Sequence, residues 1–386
     1  MKNSRRSAVD PFIVMDVVQS AAEAEAAGRR IIHMEVGQPG TRAPALARSA
    51  VAAALDAQPL GYTVTLGLPV LRRSIAQLYA RWYGITLDPA RVVVTTGSSG
   101  AFLLAFSALF DTGARVGVCE PGYPSYRHIL KALGLSAVGV PTHAAAGHRL
   151  RPSDLPDGLE GLILASPNNP TGTIHDRAEL AALIARCSEA GTAFVSDEIY
   201  HGLHYGDRAV SALEISDDVY VINSFSKYFS MTGWRVGWMV VPPDQVRVIE
   251  RLAQNMFVCA PHVSQVAALA ALDAADELEQ NRAHYAENRR LMLEGLPKAG
   301  FARLAPPDGA FYCYADVSDL TDDSRALASR MLAEAGVAVT PGLDFDPVRG
   351  SQTLRFSYAA TTADIQEGLA RLADFMRRWQ GTRAAG

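Results

Sequence analysis

The residues of this chain that most clearly carry chemistry lie in one short stretch, residues 224–238. Lys227 stands between serines, and Arg235 follows eight positions later, within a Trp-Arg-Val run that has glycine on both sides. A lysine that is shielded from water loses part of its charge and becomes a nucleophile that forms a Schiff base with an aldehyde. The hydroxyls of Ser224 and Ser226, together with Arg235, would hold a phosphate group of such an aldehyde. A solvated surface lysine is the ordinary alternative, but packing alone does not explain this spacing.

Three other polar loops follow predicted strands, and each could bind part of the same ligand. Residues 96–100 form a Gly/Ser turn before an apolar helix, where free backbone N–H groups favour an anion. This turn does not have the spacing of a Walker or dinucleotide motif. Residues 166–172 place asparagines between proline and glycine, and residues 196–200 end a strand with Asp197 and Glu198. Taken singly, each loop is also compatible with a structural turn, a surface pair or a helix cap.

The elements that position these loops alternate between helix and strand from about residue 45. Short continuous apolar strands separated by helices are typical of a largely parallel sheet that is covered on both faces. Right-handed crossovers place the loops after such strands along one edge, where ligands bind. Strands are predicted at residues 31–36, 92–95, 115–118, 161–165, 193–196 and 219–222, and helices at 12–30, 101–110, 124–133 and 177–190.

A second, smaller α+β domain is predicted towards the C-terminus. A long charged helix over residues 273–294 leads into it. Two further strands and a helix follow, at residues 311–315, 353–357 and 324–335. We therefore predict an α/β protein of two domains, as its length of 386 residues also suggests. The boundaries that we predict are residues 1–44 and 286–386 for the small domain, and residues 45–285 for the large one.

Composition limits the classes of partner. The formal net charge of -4 gives no reason to expect nucleic acid or an anionic membrane as a partner. No apolar run approaches the roughly 20 residues that cross a bilayer, so we expect a cytoplasmic protein. The four cysteines are scattered without a histidine at ligand spacing, which argues against a metal site or a disulfide framework.

These motifs, in this order, resemble those of the class I/II aminotransferases, which are fold-type I enzymes that use pyridoxal 5′-phosphate (PLP) and are related to aspartate aminotransferase. The resemblance spans nearly the whole chain. The motif that runs from Ser226 and Lys227 to Gly233 and Gly237 is highly specific for the family. The resemblance implies a large domain with a mainly parallel seven-stranded sheet and a smaller α+β domain.

The resemblance also implies roles around the cofactor. Lys227 would bind the aldehyde and then move the proton between the substrate Cα and the cofactor C4′. Asp197 would keep the pyridine nitrogen protonated, so that the ring can accept electrons. Asn169 and Tyr200 would donate hydrogen bonds to the ring oxygen O3′. The other implied cofactor contacts are Tyr123, which would stack on the ring, and Ser98, Ser99, Ser224, Ser226 and Arg235, which would surround the phosphate.

Substrate contacts and an oligomeric state follow from the same resemblance. Arg355 matches the arginine that grips the substrate α-carboxylate, a task for which a planar bidentate fork is suited. Gly37 would offer its backbone N–H to the same carboxylate, and Asn169 lies near it. Tyr62 matches the tyrosine that reaches the partner subunit's phosphate. The resemblance therefore implies a homodimer with shared active sites.

Two departures from the family pattern concern the substrate. Residues 40–44 lack the aromatic residue that often follows the Gly-x-Pro sequence near the N-terminus. Ser99 aligns with a basic residue of the aspartate-accepting members. These departures leave the amino-acid pair open, and the preference for a dicarboxylate in particular.

The expected reaction moves an α-amino group from an amino acid to a 2-oxo acid in two ping-pong halves. The first alternative is a PLP-dependent β-lyase that acts on a sulfur amino acid and releases ammonia without an oxo acid. The second is a regulatory domain that senses PLP, which usually carries a DNA-binding segment. Roughly 30 residues precede the first predicted strand, too few for a winged helix.

Overall fold

The computed structural model describes residues 2–384, and side chains as far as residue 379. Helices and strands alternate through most of the chain. The helices are α1 (Ile13–Ala26), α2 (Ala45–Ala57), α3 (Pro69–Tyr83), α4 (Gly97–Leu109), α5 (Ser125–Leu133), α6 (Arg177–Glu189), α7 (Val246–Met256), α8 (His262–Ala271), α9 (Ala275–Lys298), α10 (Ser324–Arg330) and α11 (Thr362–Ala384). The strands are β1 (Ile32–Met34), β2 (Val92–Thr95), β3 (Arg115–Glu120), β4 (Ser136–Pro141), β5 (Gly161–Ala165), β6 (Ala193–Asp197), β7 (Tyr220–Ser224), β8 (Gly237–Val240), β9 (Arg303–Leu304), β10 (Tyr312–Asp316), β11 (Val337–Pro341) and β12 (Thr353–Ser357).

Seven strands form the larger sheet, in the order β2-β8-β7-β6-β5-β3-β4. All of them run in one direction except β8, which is antiparallel to both of its neighbours. Every residue of β2, β5, β7 and β8 is buried, as expected of apolar strands that are covered by helices on both faces. The predicted α/β class and mainly parallel seven-stranded sheet are confirmed.

Some elements differ from the sequence-based expectation. The helix predicted at residues 101–110 begins four residues earlier, at Gly97, because the Gly/Ser turn forms its first turn. The helix predicted at residues 12–30 ends at Ala26, before Gly28. Two strands of the large sheet, β4 and β8, were not among the predicted ones. The first two residues of β8 lie in the stretch, residues 224–238, that was interpreted only as a ligand loop.

The second sheet joins the N-terminal β1 to strands from the last third of the chain, in the order β1-β11-β12-β10-β9. The β1–β11 pair is parallel, and the other pairs are antiparallel. Residues from both ends of the chain therefore share one sheet, which is in keeping with the predicted small domain. The exact division stays a prediction. Helix α9 runs across its second boundary, and Met1, Ala385 and Gly386 lie outside the described residues.

The fold brings the polar loops together at one edge of the large sheet. Strands β5, β6 and β7 are adjacent and parallel, so their carboxyl ends at Ala165, Asp197 and Ser224 lie side by side. Within residues 2–384, no helix is both long and apolar enough to cross a membrane. In the same part of the chain, no group of three or more His, Cys, Asp or Glu side chains could hold a metal ion.

Candidate active site

A cavity of about 240 Å³ lies at this edge, between the two sheets. The predicted site residues that line it are Gly37, Ser98, Ser99, Tyr123, Asn169, Asp197, Tyr200, Ser226, Lys227, Arg235 and Arg355. They come from positions scattered over most of the chain, and the parallel sheet brings them together. Ser224 and Tyr62, which were also predicted, do not line the cavity of the single chain.

Lys227 projects into the cavity just after β7. Its Nζ donates a hydrogen bond to the carbonyl of Gly37 at 2.5 Å. Burial lowers the pKa of Lys227 to about 8, the positive charges of Arg355 and Arg235 act in the same direction, and Asp197 opposes them. At pH 7 about a tenth of the Lys227 side chains therefore carry the neutral amine, far more than for an exposed lysine, and this is the form that attacks an aldehyde.

Asp197 ends β6 and is buried beneath the same cavity. Burial raises its pKa to about 6, although hydrogen bonds from the Tyr126 hydroxyl and the Ile199 backbone N–H favour the carboxylate. A buried carboxylate with two donors on one side is stabilised further by a cation on the other. A protonated ring nitrogen of a ligand would be such a cation.

One end of the cavity is a cup of donors. Ser98 and Ser99 lie in the first turn of α4, where the helix dipole and the free N–H groups attract an anion. The Arg235 guanidinium packs over Gly97, which has a φ of 71°. A Cβ on Gly97 would lie 2.6 Å from Nη2 of Arg235, so that only glycine leaves this space open. The cup has the donors and the charge that a phosphate dianion requires.

Ser224 lies one layer deeper than the cup. Its hydroxyl, which has one proton to donate, lies 2.9 Å from Oγ of Ser226 and 3.2 Å from the carbonyl oxygen of Val236. The backbone N–H of Ser226 in turn donates to Oγ of Ser224 at 3.1 Å. Ser224 therefore contacts the cavity through Ser226, whose hydroxyl it orients.

The opposite end of the cavity holds a buried arginine. Nη1 of Arg355, on β12, donates to Oδ1 of Asn169 at 2.9 Å, and Nη2 donates to the carbonyl of Glu35. Its guanidinium lies between the rings of Tyr312 and Phe345, with centroids 4.4 and 4.6 Å away. Within the described part of the chain, its buried Nε has no hydrogen-bond partner and no carboxylate pairs with it. An incoming carboxylate would supply the missing negative charge.

Gly37 lies where no other residue fits. A Cβ at this position would be 1.7 Å from the hydroxyl oxygen of Tyr312. Tyr312 is itself fixed, because its hydroxyl lies 2.8 Å from that of Tyr200. The backbone of Gly37 can therefore approach both Lys227 and the space beside Arg355.

A lysine amine, a phosphate cup and a buried carboxylate in one cavity are what PLP requires of a protein. Residues 29–372 match the family described as aminotransferase class I and II. The chain belongs to this family. PLP, the cofactor of these aminotransferases, supplies an aldehyde for the amino group and a ring that accepts electrons from Cα.

Similar proteins support the same conclusion. Valine–pyruvate aminotransferase of Mycobacterium tuberculosis is 47% identical over 380 residues, which are 96% of this chain and 97% of that protein. A crystal structure of an aminotransferase from Mycobacterium tuberculosis is 45% identical with a TM-score of 0.96, and the match covers 98% and 100% of the two chains. Aspartate aminotransferase from Thermus thermophilus, solved with maleate, is 30% identical with a TM-score of 0.91 over 97% and 99%.

The protein is thus a PLP-dependent aminotransferase of the fold-type I α/β class that moves an amino group between an amino acid and a 2-oxo acid. The predicted family, fold class, cofactor and reaction type are confirmed. The alternative of a β-lyase finds no support among these relatives.

Several side chains of the aminotransferase's cavity were missed by the sequence interpretation. Tyr126, in the first turn of α5, lies three positions after Tyr123, which precedes the helix, and this spacing could have indicated that both face the site. Tyr312 lies in an apolar strand, where an aromatic residue looks like ordinary core. The beginning of α1 also lines the cavity, through Phe12, Val14 and Met15, and nothing local in the sequence indicates this contact.

Proposed function

We propose that this aminotransferase uses an amino acid with a small apolar side chain, valine in the first place, as donor and pyruvate as acceptor. The observation that carries the proposal is the charge of the cavity. Lys227, Arg235 and Arg355 are the basic side chains that line it in the described chain. All three already have a task in holding the cofactor or the α-carboxylate. Among the described residues that line the cavity, no further cation is left for a second substrate carboxylate.

The remaining lining supports an apolar substrate. Phe12, Val14 and Met15 form one side of the cavity, which we call the α1 wall, and Ile199 adds another apolar surface. Burial of an aliphatic side chain gains roughly 25 cal/mol for each Å² of apolar surface. A carboxylate in the same place would lose its hydration without compensation. The name of the valine–pyruvate relative, at 47% identity, agrees with this preference.

A donor screen tests the substrate proposal. We expect the purified holoenzyme to convert valine with pyruvate, and alanine with 2-oxobutyrate, with kcat/KM at least about tenfold higher than for aspartate with 2-oxoglutarate. Oxo-acid products would be quantified by mass spectrometry. A clear preference for aspartate would disprove the substrate proposal and leave the aminotransferase assignment intact.

We propose the following roles around the cofactor, on the basis of the contacts described above. Lys227 bonds the cofactor aldehyde, and Asp197 pairs with the ring nitrogen. Asn169 and Tyr200 hydrogen-bond the ring oxygen. Tyr123 covers one face of the ring. The phosphate would be held by Ser98, Ser99, Ser226 and Arg235, with Ser224 behind Ser226.

We propose that the substrate is held at the other end. Arg355 binds the α-carboxylate of the substrate through its guanidinium, whose Nε has no other partner among the described residues. The backbone N–H of Gly37 adds a second contact to this carboxylate. Lys227 would also take the proton from the substrate Cα, and its pKa of about 8 leaves part of the side chain as the neutral amine that a base requires. An amino acid and then a 2-oxo acid would pass through the site in turn, in a ping-pong sequence.

We further propose a homodimer in which Tyr62 reaches the partner's phosphate cup. Tyr62 is 87% exposed in the single chain, and Val64, Met256 and Val258 beside α8 are exposed by 48–58%. The loop that carries Tyr62 is held against α8, since His262 Nδ1 lies 2.9 Å from the carbonyl of Gly61. Apolar side chains that are held in place and exposed to water are typical of an interface. The cytoplasmic location also stays a prediction.

A further inference from the structure

The first turn of α1 is held in place from far along the chain. Helix α1 begins after Phe12 without a side-chain cap of its own. Instead, the carboxylate of Asp344 accepts hydrogen bonds from the backbone N–H groups of Ile13 at 3.1 Å and Val14 at 3.0 Å. Free N–H groups at a helix start require acceptors, and a carboxylate also favours the positive end of the helix dipole. Asp344 therefore does for α1 what a local capping residue usually does.

Asp344 is not a surface residue that happens to meet the helix. It is 3% exposed, in the loop that follows β11. Burial raises its pKa, and the two hydrogen bonds from α1 and the charges of Arg355 and Arg127 oppose that rise. A carboxylate is costly to bury unless its partners compensate. The two carboxylate oxygens of Asp344 accept their hydrogen bonds from the backbone N–H groups of α1, which provide this compensation.

The same loop also supports the substrate arginine. The ring of Phe345, the next residue, packs 4.6 Å from the Arg355 guanidinium. On α5, Arg127 donates to the carbonyls of Asp344 at 2.8 Å and Phe345 at 3.3 Å. The α1 wall and the α-carboxylate fork are thus held by two neighbouring residues of one anchored loop.

We propose that Asp344 is a positioning residue that determines which amino acids are accepted, because it fixes the distance between the α1 wall and Arg355. Substrates whose side chain reaches Phe12, Val14 and Met15 depend on this distance. Alanine, whose side chain is a single methyl group, depends much less on the distance between the α1 wall and Arg355. This inference rests on the proposed function, in which the α1 wall contacts the substrate side chain.

The test uses the holoenzyme with Asp344→Asn, which replaces one acceptor oxygen by a donor. We expect KM for valine to rise about tenfold with kcat within about twofold, while KM for alanine changes less than about threefold. Asp346→Asn is the matched control, since Asp346 is buried in the same loop but its carboxylate accepts hydrogen bonds from Val348 and Arg349 instead of α1. This control should lower the thermal midpoint without changing the ratio of kcat/KM for valine to kcat/KM for alanine, which we call the valine-to-alanine ratio.

A second variant removes a donor instead of the acceptor. Ile13→Pro deletes one of the two N–H groups at the first helical position, where proline is tolerated. We expect the same loss of preference for valine, to a smaller extent, even if Asp344→Asn does not fold. An unchanged valine-to-alanine ratio in the folded variants, or an equal loss for both donors, would overturn the proposal.

Hydrogen exchange separates this inference from the proposed function. In Asp344→Asn, the amides of Ile13 and Val14 should exchange at least about tenfold faster than in the wild type, with no substrate present. If wild-type enzyme prefers aspartate while these amides still lose protection, the proposed substrate is wrong and the capping contact stands. If protection is unchanged, Asp344 does not hold α1 and the positioning role is wrong.

Discussion

Burial moves the pKa values of two side chains of the site towards each other. It lowers that of Lys227 to about 8 and raises that of Asp197 to about 6. Each shift suits the proposed role of its group. The lysine is partly neutral and can act as nucleophile and base. The buried carboxylate of Asp197 is stabilised most when a cation lies beside it.

The first residue-scale prediction concerns Lys227. Borohydride reduction of the holoenzyme, followed by peptide mapping, should place the pyridoxyl group on Lys227. Lys227→Ala should retain the fold, because the side chain projects into the cavity, but should show no covalently bound cofactor and no transamination. Lys131 and Lys298 lie on helices α5 and α9 and are natural internal controls that should stay unlabelled. A pyridoxyl group on another lysine would contradict the assignment.

The second residue-scale prediction concerns Asp197. Asp197→Asn keeps the shape but removes the charge that would hold the ring nitrogen protonated, so that the ring accepts electrons poorly. We expect kcat to fall by about 10³-fold or more, which is about 4 kcal/mol of transition-state stabilisation. Cofactor binding should weaken far less, because Lys227 and the phosphate cup remain.

Asp197→Glu is the matched control for charge. It should retain more activity than the Asn variant despite its poorer fit. Near-normal turnover of Asp197→Asn with bound PLP would show that Asp197 is not the pyridinium partner. Glu198, the next residue, is buried and accepts hydrogen bonds from Ser211 and Ala212, so it would be tested next.

At the scale of elements, α4 must begin with a residue that does not obstruct the phosphate cup. In Gly97→Ala, the positive φ of 71° costs about 1 kcal/mol, and the new Cβ displaces Arg235. We expect the dissociation constant of PLP to rise at least about tenfold, measured by titration of the cofactor-free enzyme. Gly84→Ala is the control, because Gly84 has the same φ of 71° and nothing within 4 Å of a Cβ. It should lose stability but bind PLP normally.

Another pair of elements, α1 and β1, is joined by a histidine. His33 on β1 contacts Glu35 at 2.8 Å and Glu25 of α1 at 3.1 Å. The hydrogen bond to Glu35, opposed by burial, raises the pKa of His33 to about 9. A raised pKa means that the folded state holds the proton more tightly than the unfolded chain does. The contribution of the His33–Glu35 contact to the free energy of unfolding is therefore complete below about pH 6.5 and is lost as pH rises through about 9.

We predict a pH-dependent effect of His33→Gln. The difference in thermal midpoint between wild type and variant should be largest near pH 6 and should nearly vanish at pH 10, at equal protein concentration. Differential scanning calorimetry of both proteins at the two pH values measures it. A difference that does not depend on pH would show that His33 contributes packing and not charge.

The cofactor half of the site was predictable because its residues stand in short local motifs at strand ends. Asp197 and Lys227 needed only the parallel sheet to meet. The α1 wall and the residue that holds it were not predictable in this way, whereas the family resemblance had already named Arg355 and Gly37 for the substrate carboxylate. Asp344 and Val14 are 330 positions apart, and their contact depends on how α1 packs against β11 of the second sheet. Likewise, β8 was missed because the glycines and the arginine of its motif hide a four-residue strand.

At the scale of the whole molecule, the single chain leaves its apolar surface around Tyr62 uncovered. Tyr62 and Val64 precede α3, while Met256 ends α7 and Val258 lies between α7 and α8. In a dimer with a twofold axis, this surface of each chain would be covered by the same surface of its partner. Each Tyr62 would then lie near the cofactor of the partner.

Complementation between two inactive variants tests this arrangement. Tyr62→Ala lacks the residue that reaches across, and Lys227→Ala lacks the residue that bonds the cofactor. In a mixed dimer, one site has both substitutions and the other has neither, because Tyr62 and Lys227 of one site come from different chains. Random mixing makes half of the dimers mixed, so activity should recover to about a quarter of the wild-type value. Mixing after denaturation and refolding, with differently tagged chains, would verify that mixed dimers form. If each site were complete within one chain, verified mixed dimers would be no more active than the average of the two parents.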